Sequence, residues 1–185
     1  MTDSDERTER LWNKRYEVLY RSELSSIYHK KRERYFSLLD RWEKVLTLLL
    51  GSAAFIKVVN LDHLPLIALP FALVGFASLV FDFSQCARHH AELAFRFKML
   101  ESEIEEAGEM DLDEKAVYRW SARFREIESG EPAAYNMLIR VCQNEMARAK
   151  GHIQDITYVP LWKSFLANFY TFPNSPVKQS GPSAT

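Results

Sequence analysis

The chain has 185 residues, of which 47% are hydrophobic and 26% charged, and its formal net charge is -1. This length allows one domain, or a small membrane segment with a modest soluble part, and the near-neutral charge gives no indication of a direct nucleic-acid partner. The two cysteines, Cys86 and Cys142, form no CxxC spacing, which argues against a disulfide framework and favours a reducing compartment.

The first predicted element is a long amphipathic, cytosolic region at residues 1–44, which consists of one helix or two. Its opening letters, MTDSDERTERLW, are charged and lack the apolar region of a secretory signal peptide. Apolar side chains then recur at helical spacing, and neither Pro nor Gly interrupts them, so the helix is expected to lead directly into the sequence that follows. The apolar residues at this spacing are Trp12, Tyr16, Leu19, Leu24, Ile27, Tyr28, Tyr35, Leu38, Leu39 and Trp42.

Two apolar runs follow, at residues 45–59 and 64–83, with only the letters NLDH between them. The second run contains LPLIALPFALVGFASLVF, which carries no charge and would span about 27 Å as a helix, close to the ~30 Å hydrocarbon core of a bilayer. Because the turn is so short, the pair predicts a transmembrane helical hairpin at residues 45–83. Pro65 falls in the first turn of its helix, and Pro70 is expected to kink it.

Positive charge flanks both outer sides of the predicted hairpin, while its turn offers only Asp62 and His63. By the positive-inside rule, both termini are expected in the cytoplasm and the turn on the outer side, with the hairpin serving as the targeting signal. Membrane lipids are therefore predicted partners. The basic run expected to contact lipid headgroups is Lys30, Lys31, Arg32 and Arg34, and the expected membrane-interface residues are Arg41, Trp42, Lys44 and Arg88.

Small and polar residues inside the two runs are candidates for helix packing or for lining a pore. Small side chains permit close helix approach in lipid, and hydroxyl groups either line a polar path or bond to backbone carbonyls. Lys57 has two open interpretations, because it can line a pore in an oligomer or snorkel to the outer interface. The candidate residues are Thr47, Gly51, Ala54, Lys57, Ala68, Ala72, Gly75 and Ser78.

The region at residues 84–172 is predicted to be helical and cytosolic, with a disordered tail at 173–185. Helices are expected from Phe83 to a stop at Gly108, from Asp113 to residue 128, and at 133–150 after a break at 129–132. With almost no strand-like alternation, the fold class is all-α. The predicted inward residues are Cys86, His90, Leu93, Ala94, Phe97, Leu100 and Ile104, then Val117, Trp120, Phe124 and Ile127, then Tyr135, Leu138, Ile139, Cys142 and Met146.

No constellation in the sequence indicates catalysis. The adjacent His89 and His90 point to different faces of a helix, so a metal site is not expected there. Cys86 lies one helical turn from His90, but a small buried thiol is the simpler interpretation. The dispersed glycines form no phosphate-cradling loop. We therefore predict a protein that is not an enzyme and that needs no metal or cofactor.

The order of these parts resembles the SLATT family of bacterial membrane proteins, at about residues 24–104. The stretches that carry the resemblance are ELSSIYHKKRERYFSLLDRWEKVLTLLLGSAAFIKVVN, the hairpin, and FDFSQCARHHAELAFRFKMLESEIE. Members combine a basic amphipathic helix, two closely spaced transmembrane helices and a helical cytosolic region. The resemblance implies a pore-forming effector of bacterial conflict systems that acts beside nucleotide-generating or nucleotide-sensing partners, and it supplies no catalytic residues.

Two functional hypotheses follow from the sequence together with this resemblance, which implies the bacterial defence setting. In the first, the chain is a homo-oligomeric effector that forms a pore in, or perturbs, the bacterial inner membrane during antiviral (abortive infection) defence. In the second, it is a non-conducting membrane-anchored scaffold that localises a cytosolic partner. A pore requires several copies, because two helices do not enclose an aqueous path.

Overall fold

A computed structural model describes residues 3–57, 69, 72, 73, 75, 76, 80–108 and 112–168 of the chain. Within these residues every regular element is helical, which confirms the all-α class. The elements are α1 (Asp3–Lys57), α2 (Phe83–Glu106), α3 (Glu114–Glu128), α4 (Asn136–Ala149), a 3-10 helix (Ile153–Asp155) and α5 (Leu161–Leu166). The predicted tail at 173–185 lies outside the described residues.

The chain divides into two compact units. Met1–Lys30 and Glu92–Thr185 form the first, here called the core unit, and Lys31–Ala91 forms the second, here called the apolar unit. The core unit is therefore discontinuous in sequence, and the predicted hairpin lies entirely within the apolar unit.

In the core unit, α1 and α3 run parallel. Two ion pairs fix this direction, because Arg7 pairs with Glu114 and, fourteen residues further along each helix, Arg21 pairs with Glu128. Parallel neighbours need a connection that returns the chain to its starting end. Here α2 lies between α1 and α3 in sequence and supplies that return.

Helix α2 runs antiparallel to α1 within the core unit. Arg15 Nη2 donates a hydrogen bond to the carbonyl of Ile104 at 3.0 Å, and Ser26 Oγ donates to the carbonyl of Ala94 at 3.3 Å. The hydrophobic cluster enclosed by α1, α2 and α3 consists of Val18, Leu93, Phe97, Leu100, Ile104, Val117, Trp120, Phe124 and Ile127.

The predicted helical faces of α2 and α3 are confirmed with one partial exception. All four residues predicted to face inward on α3 are buried, and on α2 only Cys86 of the predicted set is half-buried rather than buried. Helix α2 ends at Glu106, and Gly108 follows with a φ of 68°, the left-handed conformation that glycine adopts at low cost.

The buried face of α1 in the core unit is more polar than its sequence pattern indicates. Tyr16, one of the apolar residues at helical spacing, is 45% exposed. Polar side chains occupy the face instead because they reach partners: Ser22 Oγ donates to the carbonyl of Val18 at 2.8 Å, and His29 Nε2 lies 3.2 Å from Glu131 Oε1. A buried polar group is tolerated when its partner is also provided by the fold.

A second hydrophobic cluster of the core unit joins α1 to α4 and to the segment that contains α5. Its buried members are Tyr28, Met137, Leu138, Cys142 and Ala167. Helix α4 begins at Asn136 rather than at residue 133 as predicted, because the backbone N–H of Tyr135 donates to Tyr28 Oη at 3.2 Å and Tyr135 keeps an extended conformation.

Asp113 caps the N-terminus of α3. Its Oδ1 accepts a hydrogen bond from the backbone N–H of Lys115 at 3.1 Å. Asp113→Ala should therefore lower the free energy of unfolding by about 1 kcal/mol, because a first-turn N–H loses its acceptor. Urea denaturation followed by circular dichroism measures the change. Asp113→Asn keeps a capping oxygen and should restore most of the loss, whereas equal losses in both variants would contradict a capping role.

Candidate functional site

The described part of the two apolar runs has exposed side chains. Helix α1 continues without a break through the first run to Lys57, and Leu48 and Leu49 on it are 71% and 60% exposed. Large apolar side chains are mostly buried in folded chains, and nine exposed ones within two short runs mark a surface suited to cover by another molecule. We call this set the exposed apolar segment: Val45, Leu46, Leu48, Leu49, Leu69, Leu73, Phe76, Val80 and Phe81.

The predicted hairpin is described only in part. Residues 58–68, 70, 71, 74 and 77–79, which include the turn and the expected kink at Pro70, lie outside the described residues. Among the helices that are described, none has the length and hydrophobicity that a membrane crossing requires. Asp82 lies near the end of the second run, directly before α2. Its Oδ1 accepts a hydrogen bond from the backbone N–H of Gln85, in the first turn of that helix, at 2.9 Å.

The small and polar candidates of the two runs are placed as follows. Thr47 is exposed on α1, and the backbones of Gly51, Ala54 and Lys57 belong to the same helix. Ser52 Oγ donates to the carbonyl of Leu48 at 2.8 Å, so this hydroxyl bonds to the backbone of its own helix. In the second run Ala72 and Gly75 are helical and exposed, and Ala68 and Ser78 lie outside the described residues.

The predicted membrane-interface residues are accessible. Arg41, Trp42 and Arg88 are exposed, and Trp42 retains 62% of its accessible surface. Lys44 is also exposed, and its Nζ lies 2.6 Å from Asp40 one helical turn earlier. An aromatic ring among cations at the start of an apolar run is the usual composition of a membrane interface.

The basic run ahead of the hairpin divides between exposed and buried positions. Lys30 and Arg34 are exposed and Lys31 is half-buried. Arg32 is buried, and its guanidinium carbon lies 4.6 Å from the ring centroid of Phe36. A guanidinium over an aromatic face makes a cation–π contact, which gives Arg32 a role in packing.

The paired histidines occupy different environments, as expected for adjacent helical positions. His89 is exposed, whereas His90 is buried and stacks on Phe36 with ring centroids 5.5 Å apart. Across the described part of the chain, no group of three or more His, Cys, Asp or Glu residues is arranged to hold a metal ion.

A second candidate site lies in the core unit, as a groove of about 360 Å³ between α1 and α3. Cations dominate its polar lining, and Val18 and Phe124 supply its apolar part. We call it the cationic groove, and its lining residues are Arg10, Asn13, Lys14, Glu17, Val18, Arg21, Ser121, Phe124 and Arg125.

Two of the four cations of the groove are held by the protein itself. Lys14 Nζ lies 3.9 Å from the ring centroid of Tyr118, and the Arg21 guanidinium carbon lies 4.4 Å from the ring centroid of Phe124. Arg21 also pairs with Glu128 and lies 3.6 Å from Glu17. These contacts give the two side chains fixed positions along the groove.

The other two cations, Arg10 and Arg125, are exposed and form no ion pair with any residue that the structure describes. Glu17 is the single carboxylate in the lining, and Glu128 outside the lining pairs with Arg21, so the four cations exceed these two carboxylates by two positive charges. Arginine groups without a protein carboxylate are available for an anionic ligand, and their planar fork suits carboxylate or phosphate oxygens.

Sequence reasoning did not single out the cationic groove. A signal exists in the spacing of Arg10, Lys14, Glu17 and Arg21, which recur every three or four residues and share one face of α1. A charged stripe of this kind is usually an ordinary solvated face. The groove exists because α3 packs alongside α1 and contributes Arg125 to the lining. The sequence pattern does not show that these two helices are neighbours.

No protein-family model, curated protein or solved structure matches this chain. The SLATT assignment therefore stays a prediction from the sequence. Function is inferred from the exposed apolar segment and the cationic groove.

Proposed function

We propose that this chain is a membrane effector that oligomerises into a pore in the bacterial inner membrane or perturbs that membrane. The observation that carries the proposal is the exposed apolar segment. Removing a leucine or phenylalanine side chain from water stabilises a protein by about 1.5–3 kcal/mol. Nine such apolar side chains left uncovered represent a large driving force for association with lipid or with other copies.

The proposed membrane element is the helical hairpin at residues 45–83. The second run of the hairpin is long enough to cross the hydrocarbon core. The exposed Arg41, Trp42 and Lys44, which lie directly before the first run, suit a headgroup region. Small residues in both runs favour helix packing, so the proposed active form is a homo-oligomer. In it Lys57 either lines the pore or reaches the outer interface, and we propose both termini in the cytoplasm.

Antiviral defence is the biological setting that the SLATT resemblance supports. Under this proposal the core unit receives a signal from a nucleotide-generating or nucleotide-sensing partner, and depolarisation of the infected cell follows. The alternative is a non-conducting anchor that localises a cytosolic partner, which requires the same hairpin but no ion flux.

Ion flux through liposomes tests the proposal. Purified full-length chain reconstituted at increasing protein-to-lipid ratios should release a trapped dye or dissipate a potassium gradient, with a dependence on protein density steeper than linear. The steepness is expected because several hairpins must assemble before a path opens. The absence of flux at every density, in vesicles that contain inserted protein, would contradict a pore.

A hairpin exchange separates the effector from the anchor. The control replaces residues 45–83 with an unrelated two-helix membrane anchor of the same length. An effector should lose flux and cellular toxicity in this chimera while it stays at the membrane. If the chimera keeps full biological activity, the anchor hypothesis is favoured instead.

A further inference from the structure

The cationic groove has the properties of a binding site for a small phosphate-bearing molecule, and we propose that it binds one. The inference concerns the core unit alone and does not depend on whether the hairpin conducts ions. It stands on three observations: the excess of positive charge, the size of the groove and the covered ring in its lining.

The excess of charge calls for an anion. Arg21 is already paired with Glu128, but Arg10 and Arg125 form no ion pair with any described residue and lie on the two helices that border the groove. The like charges of Arg10, Lys14 and Arg125 around one cavity repel one another, and an anionic ligand relieves that repulsion. Charge-assisted hydrogen bonds from arginine to phosphate are among the strongest that a protein surface makes.

The size of the groove indicates a small molecule. A volume of about 360 Å³ is at the lower end of the ~300–1,000 Å³ range of ligand pockets. A nucleic acid would instead require an extended basic stripe, and the whole chain has a net charge of -1. Asn13 and Ser121 add neutral hydrogen-bonding groups to the lining.

The aromatic ring in the lining is not available for stacking. Phe124 is buried, and the Arg21 guanidinium covers its face at 4.4 Å from the ring centroid. A nucleobase therefore gains little from this ring, and recognition is expected to follow the phosphates. Affinity should rise with the number of phosphates and change little between adenine and guanine.

Isothermal titration calorimetry of the full-length chain at low ionic strength tests this site. The probes are pyrophosphate, AMP, ADP, ATP and GTP. We expect ATP and GTP to bind within about threefold of each other and more tightly than AMP, and binding to weaken as salt is added because exposed charges are screened. No heat and no saturation for pyrophosphate and ATP at millimolar concentration would overturn the proposal.

Charge-matched variants locate the site. Arg10→Gln/Arg125→Gln should weaken ATP binding by at least about tenfold, since two charge-assisted contacts are lost. Folding should be retained, because both side chains are exposed and neither has an ion-pair partner among the described residues. The control Arg119→Gln/Arg148→Gln removes two exposed arginines of the core unit outside the groove and should change affinity less than twofold. Equal losses in the two double variants would overturn the proposal.

A gain of affinity provides an independent readout. Glu17→Gln removes the one carboxylate of the lining and should tighten ATP binding by about two- to fivefold, a change that a purely structural role for Glu17 does not produce. Lipid phosphate is the other source of the same chemistry. Co-sedimentation with phosphatidic acid vesicles distinguishes the two sources. If Arg10→Gln/Arg125→Gln lowers co-sedimentation, while ATP and pyrophosphate bind neither the unmodified chain nor the variant, the ligand is a lipid headgroup and a soluble ligand is refuted.

Discussion

Replacing Phe97 by alanine should lower the free energy of unfolding of the core unit by about 3–5 kcal/mol, because a large and fully buried aromatic side chain of its main cluster is removed. Phe97 is fully buried on α2. Its ring centroid lies 5.4 Å from that of Phe124 on α3 and 5.8 Å from that of His29 on α1, where the two rings are stacked. The substitution leaves a cavity at the point where all three helices meet, and partial collapse of the helices is expected to recover only part of the loss.

Chemical denaturation measures this change, with the fluorescence of Trp120 in the same cluster as the probe. The matched control is Phe95→Ala, two residues earlier on α2, where the ring is 65% exposed. A surface truncation of that kind should change stability by no more than about 0.5 kcal/mol. If the two variants are destabilised equally, the assignment of the core face of α2 is wrong.

Under the proposed function, the double substitution Leu49→Asp/Phe76→Asp should release the protein from the membrane. It places one carboxylate in each apolar run, at positions that are 60% and 68% exposed. An ionised aspartate near the middle of a membrane helix costs about 2.5–3.5 kcal/mol, so the pair costs more than about 5 kcal/mol. Insertion of the proposed hairpin would then be unfavourable.

Carbonate extraction of cell membranes gives the readout. The unmodified chain should stay in the pellet, and the double variant should appear in the supernatant or be degraded. Leu38→Asp/Phe95→Asp is the control, since it changes two apolar residues outside the runs that are 53% and 65% exposed, and it should leave the chain in the pellet. Release of the unmodified chain by carbonate would contradict a spanning hairpin.

Periodicity predicted α2 and α3 well because their buried faces are mainly apolar, with His90 and Glu101 as the buried polar residues of α2. On α3 the spacing of Val117, Trp120, Phe124 and Ile127 is that of a helix stripe, and Asp113 in front of it has the chemistry of a cap. An apolar helix face is buried whichever residues pack against it, so the local sequence is sufficient to predict which side of the helix faces the core.

The same reasoning failed on α1 because burial there depends on particular partners. Arg15 and Ser22 are buried through bonds to carbonyls, and a search for apolar residues selects the exposed Tyr16 instead. The cationic groove was missed for a related reason. Its residues come from two helices whose parallel register follows from ion pairs distant in sequence, and single-sequence patterns do not give that register.

The discontinuity of the core unit sets an order of events during biosynthesis. Val18 of α1 belongs to a cluster whose other members all come from α2 and α3, and both apolar runs are translated before either helix. The ribosome therefore delivers the apolar runs while the N-terminal part of α1 still lacks its partners. Under the proposed function, insertion precedes completion of the core, and a nascent chain reaches the bilayer before this unit has acquired its stability.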